Sequence, residues 1–228
     1  MKRLTVIFST IALGILLIVA CKKENNTTSS TSSGSASTTS GSTTSGTTTS
    51  GTTSGTLAAS TPLQVTYQAD GTSYTYTDGS NMEVQSNGSA ISFSGNTGSA
   101  NYKAYFVNNL SGNIHFYLEK GILTFTGTSG IAPNSNFDAF FPIGAVPYGS
   151  STGNGIDMHF GINGLLYTTD NGSQTGSVFT ITDTLSQNIS GTHYVKFKAT
   201  FSCKAYDSNG QNMKTITNGV VVGRFKNM

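Results

Sequence analysis

From Leu57 to the end of the chain, apolar and polar residues alternate with a period of two. The longest run covers 194–206, where Val195, Phe197, Ala199, Phe201, Cys203 and Ala205 interleave with Tyr194, Lys196, Lys198, Thr200, Ser202, Lys204 and Tyr206. Strict alternation predicts an antiparallel strand with one face on a core and one in water. It puts Cys203 among core side chains, where a free thiol acts as a small hydrophobe, and all three lysines in solvent. The turn Asp207-Ser208-Asn209-Gly210 follows, with Asn-Gly expected to supply the positive φ angles of a tight hairpin. A return strand is then predicted from Met213 to Phe225, with Asn218-Gly219 read as a bulge.

Shorter segments of the same kind cover 63–68, 73–77, 82–86, 90–94, 102–107, 113–118, 122–126, 156–162, 165–168 and 178–182. Turn signals such as Asp70-Gly71, Asp78-Gly79 and Asp170-Asn171-Gly172 punctuate them. Many short strands with such spacing predict an all-β fold, an antiparallel β-sandwich or a partly open barrel, over residues 57–228. No segment has a convincing helical period; 101–110 is the one stretch compatible with a short helix. Residues 137–148, Phe-Asp-Ala-Phe-Phe-Pro-Ile-Gly-Ala-Val-Pro-Tyr, are apolar without alternation. They read either as a cover packed over an open end of the domain or as a lip that contacts a ligand.

The N-terminal quarter is physically different. Lys2 and Arg3 precede an apolar run from Leu4 to Ala20 that stops at Cys21. A charged start, a short apolar stretch and small residues before a cut describe an export signal, and Leu17-Ile18-Val19-Ala20-Cys21 resembles a bacterial lipobox. That resemblance implies a signal peptide over 1–20, cleavage before Cys21 and acyl chains on Cys21, so that the protein is anchored to a membrane through lipid. The competing reading is an uncleaved span, since about 17 to 25 apolar residues cross a bilayer; Thr5, Ser9 and Thr10 dilute the run. Lys22 rather than Asp follows the cysteine, which under the sorting rule of Gram-negative lipoproteins points to the outer membrane. Residues 26–56 contain only Asn, Thr, Ser, Gly and Ala36, with Thr-Thr-Ser-Gly starting at 38, 43, 48 and 52. Nothing apolar is available there to offset the entropy of ordering, so 21–56 reads as a disordered tether with a root-mean-square span of roughly 30 Å.

Composition narrows the function classes. Without Lys2 and Arg3 the chain has ten cationic side chains against ten carboxylates, which gives no basic footprint for nucleic acid. With Cys21 taken by lipid, Cys203 has no partner for a disulfide. Three histidines and no Gly-x-Ser-x-Gly, dinucleotide or phosphate-loop pattern leave little for catalysis, and no cofactor or metal is assigned. His115 and Glu119 share the outward face of one predicted strand and Asp157 and His159 that of another. Those four would make a zinc-dependent hydrolase only if the strands were neighbours and the side chains converged; paired carboxylates acting as a glycosidase are a further alternative. His193 has no partner in sequence. Outward tyrosines, among them Tyr117, Tyr194 and Tyr206, are candidates for stacking on sugars or peptides.

The hairpin formed by Tyr194-Val195-Lys196-Phe197-Lys198-Ala199-Thr200-Phe201-Ser202 and Ile216-Thr217-Asn218-Gly219-Val220-Val221-Val222 resembles the ending of a family of uncharacterised Bacteroidetes lipoproteins. Ala199 stands where that family usually has glycine, and Val220 where it usually has an aromatic residue. The resemblance covers roughly the last fifty residues and implies a β-sandwich-like domain without an assigned activity. The expectation is a monomeric, non-enzymatic, lipid-anchored envelope protein that binds or scaffolds an envelope protein or glycan. A surface adhesin or glycan-binding module is its narrower alternative.

Overall fold

The computed structural model describes residues 56–79, 82–108 and 111–228. The signal segment 1–20, Cys21 and the linker to residue 55 lie outside the described residues. The buried core runs from Leu57 to Phe225, so the β-domain holds its own core.

The domain is all-β and antiparallel. The described strands are β1 Gln64–Ala69, β2 Thr72–Thr77, β3 Met82–Ser94, β4 Thr97–Asn108, β5 Ile114–Thr126, β6 Gly144–Ala145, β7 Ile156–Ile162, β8 Leu165–Thr168, β9 Val178–Ile189, β10 Thr192–Tyr206 and β11 Met213–Lys226. Neighbours follow the order β2-β1-β11-β10-β8-β7-β5-β4-β3. β9 takes the same edge of β10 along residues 192–202, and β8 takes it over at Tyr206. β3 comes round to the end of β11, where the Ser86 hydroxyl donates to the Arg224 carbonyl at 2.5 Å. Of the two architectures expected, the chain adopts the nearly closed barrel.

Three expectations are corrected. Segments 113–118 and 122–126 are one strand, β5, because Gly121 is a crossing point and not a turn. A Cβ on Gly121 would lie 1.9 Å from the carbonyl oxygen of Ser150, so only glycine lets the 149–155 loop pass so close to the strand. Segments 82–86 and 90–94 likewise join into β3, with a register irregularity between Ala90 and Ser92. Of the stretch 101–110, left open to helix, residues 101–108 fall in β4 and 109–110 lie outside the described residues. The only α-helix among the described residues is α1, Asn134–Ala139. At six residues it is too short for its period to show in sequence.

The bulge at Asn218 is present: Phe201 pairs with Gly219 and Cys203 with Ile216, and Asn218 takes φ 52°. Gly219 then lies under the Phe201 ring, where a Cβ would stand 2.4 Å from ring carbons. At the 207–212 turn only Gly210 takes a positive φ. The Asp207 carboxylate organises the loop instead, accepting from the backbone N–H of Asn209 and Gln211.

The barrel interior is filled with rings. Phe116 meets Phe160 at 5.4 Å and Phe106 at 5.8 Å, and Tyr67 meets Phe160 at 5.0 Å. One end is closed by the apolar 137–148 stretch: Phe137, Phe140, Phe141 and Val146 are buried. Phe141 stacks on Phe225 at 4.8 Å, and Phe137 packs edge-on against Tyr102 at the same distance. The stretch is a plug, as one of its two sequence readings held. Among the described residues no helix is long and apolar enough to cross a membrane.

Candidate functional site

The residues singled out for chemistry are brought near one another and then occupied by other partners. β5 and β7 are neighbours, with Tyr117 opposite His159 and Glu119 opposite Asp157. Glu119 accepts from Asn101 at 2.8 Å and pairs with Lys103 at 2.9 Å. Asp157 is buried beneath the 150–152 turn and accepts from the Ser150 N–H at 2.6 Å and the Thr169 hydroxyl at 3.3 Å. His159 lies flat on Tyr117, 3.8 Å between ring centres, and burial holds its pKa below the ordinary histidine value. His115 turns to Tyr76 instead. Among the described residues no three His, Cys, Asp or Glu side chains are placed to hold a metal ion. The zinc arrangement therefore fails on geometry.

Tyr117 is also unavailable as a stacking platform. Tyr105 lies 5.2 Å from its other side, so its faces are spent on neighbours across the strands and mainly hold the sheet together. His193 does have partners: its ring nitrogens lie 2.7 Å from the Asp138 carboxylate and 3.2 Å from the Asn188 amide oxygen. Through these two contacts the ring ties α1 of the plug to the start of β10. Cys203 is core, as expected, and burial pushes its thiol up to about 12.

One lysine departs from the solvent position expected of it, and another is buried inside the barrel. Lys196 faces outward, yet it is buried under residues 58–61. Its ammonium donates to the carbonyls of Ala58 at 2.9 Å, Ala59 at 2.8 Å and Thr61, while the Leu57 N–H donates to Asp183 at 2.6 Å. This clasp fixes where the linker joins the domain. Lys120 points inward, in phase with Phe116 and Leu118. It donates to the Asn154 backbone carbonyl at 2.9 Å and to its side-chain oxygen, under the Phe140 ring at 4.0 Å. Desolvation lowers its pKa to about 7.

One concave feature of ligand size lies at the barrel mouth. A groove of about 460 Å³ is lined by Tyr74 and Tyr76 of β2, Ile114 and His115 of β5, and Leu165 and Leu166 of β8, with Asn113 and Asn163 at its rim. Its volume falls within the range of small-molecule sites. Lys196 and Tyr206 are ten residues apart on β10, about 33 Å at strand rise, and β8 meets β10 at Tyr206. The β8 wall of the mouth thus lies past the far end of β10 from Lys196, while the β2 wall, through Tyr76 opposite Val65 and Val65 opposite Val221, comes level with Ala199. Of the mouth residues, sequence reasoning had marked only His115 as chemistry. The missed signals were Tyr74 and Tyr76 alternating in an otherwise Ser/Thr strand, and adjacent leucines directly after Asn163-Gly164.

No protein-family description, no curated protein and no solved structure matches the chain.

Proposed function

We propose that this is a lipid-anchored envelope protein, held in the outer membrane through Cys21, whose barrel is a non-enzymatic binding module with the mouth groove as its site. The observation that carries the reading is the lining of that groove, which is of ligand size, has apolar and aromatic walls from three strands and carries no Asp, Glu, Lys or Arg. The resemblance of the last hairpin to Bacteroidetes lipoproteins supports the same reading.

Metabolic labelling with palmitate, followed by membrane fractionation, tests the anchor. Label on the wild-type chain and none on Cys21→Ser, with the variant released from the membrane fraction, is the expected result. Equal labelling of both removes the anchor. Protease shaving of intact cells then separates a cell-surface adhesin, which loses its barrel, from a periplasmic module, which keeps it until the outer membrane is opened.

A further inference from the structure

Resting on the binding reading above, we propose that the mouth groove is a saccharide site that takes a neutral sugar ring, its apolar face on the groove wall and its hydroxyls on the rim amides. Charge selects the ligand class first. No Asp, Glu, Lys or Arg side chain lines the groove, so an ionic ligand would lose hydration without gaining a counter-charge. The walls then ask for a flat partly apolar body. Tyr74 and Tyr76 form one wall, and Leu165 and Leu166 remain 60% and 50% exposed on the other side. Large apolar side chains held exposed around a concavity are a mark of ligand contact.

Hydrogen bonding completes the selection. The Asn113 and Asn163 amides both donate and accept, which suits hydroxyls in any orientation better than it suits a purely apolar guest. The tyrosine wall is also backed by the core: buried Tyr67 stacks on Tyr74 at 5.2 Å and fixes the ring that a sugar would meet.

The test uses the domain 56–228, which contains the whole core. The chain has ten tyrosines and no tryptophan, so intrinsic fluorescence reports on tyrosines without masking. Titration with maltohexaose, laminarihexaose, xylohexaose and chitohexaose to about 10 mM is expected to give saturable binding of at least one, at millimolar affinity or better. Leu166→Lys, at an exposed position, and Asn163→Gly, which keeps the positive φ of the turn, each weaken that binding tenfold or more. Tyr105→Ala on the outer face leaves it unchanged. No binding of any of the four sugars, or binding that survives both mouth variants, overturns the proposal. A parallel titration with anilinonaphthalene sulfonate separates the two levels of failure. If the dye binds and Leu166→Lys abolishes it while the sugars do not bind, the groove is an apolar-ligand site and only the saccharide assignment falls. If neither probe binds, the mouth loses its role as a site altogether.

Discussion

The two ends of the barrel use the same aromatic and apolar side chains to opposite effect. At the plugged end, Phe137 and Phe141 come from a short connecting segment and are driven into the barrel against Tyr102 and Phe225. At the mouth, Tyr74, Leu165 and Leu166 sit on strands whose own continuation holds them at the rim, and no segment covers them among the described residues. The difference is one of connectivity. The excursion over residues 127–155 between β5 and β7 is long enough to fold back over the opening, whereas Asn163-Gly164 turns β7 into β8 so tightly that nothing remains to close the mouth. One end was given chain to spend on stability and the other was left open.

The contrast is broken most directly by Phe141→Ala, which should cost about 3–5 kcal/mol in urea unfolding, as large buried-ring deletions do. A loss below about 1 kcal/mol would show that the plug is not part of the core. Second comes Lys120, the one cation inside the plugged half, which meets no carboxylate at ion-pair distance among the described residues. Its folded pKa of about 7 lies below the ordinary lysine value, so between about pH 7 and 10 the unfolded chain binds more protons than the folded one. Stability must therefore rise with pH through that window, by up to a few kcal/mol. Lys196, shifted the same way by burial, adds to the slope. Lys120→Met is expected to flatten most of the rise, measured as melting temperature against pH, and an unchanged slope would show that Lys120 does not titrate there.

Smaller still is Asp138→Asn, which removes the carboxylate that meets the His193 ring at 2.7 Å and should loosen α1 by about 1 kcal/mol; faster amide exchange confined to 133–141 is the sign to seek. Last is the mouth itself, where Leu165→Ser and Leu166→Ser together should change stability by less than about 0.5 kcal/mol. A large loss there would mean that the mouth is a structural surface and would erase the difference between the ends.

Strands were legible in this chain wherever one face met the core, because a period of two is written directly into residues such as Val195, Phe197 and Ala199. Where the chain crossed itself the pattern misled. Gly121 looks like a turn and is instead the gap through which another segment passes, a fact about residue 150 that no local pattern contains. Lys120 stands in an inward position of its strand, but a lysine there is read as a break until the Asn154 carbonyl is seen to receive it. The polar cluster was half legible: Glu119, Asp157 and His159 do share one face, yet sequence could not show that Lys103, Ser150 and Tyr117 would take up their capacity. The mouth was nearly invisible because its walls come from three strands, each contributing two ordinary residues.

The clasp around Lys196 has a mechanical meaning for a domain pulled from its N-terminal side. Such a pull reaches the Leu57 N–H and the carbonyls of Ala58, Ala59 and Thr61 before it reaches the β1–β11 ladder, whose pairing starts at Gln64. One ammonium and one carboxylate hold those four groups together, so a pull must break them as a set rather than peel the barrel open bond by bond. Lys196 thus works as a strain relief, like the grip where a cable enters its housing, and shields the barrel from a pull on the chain that precedes Leu57.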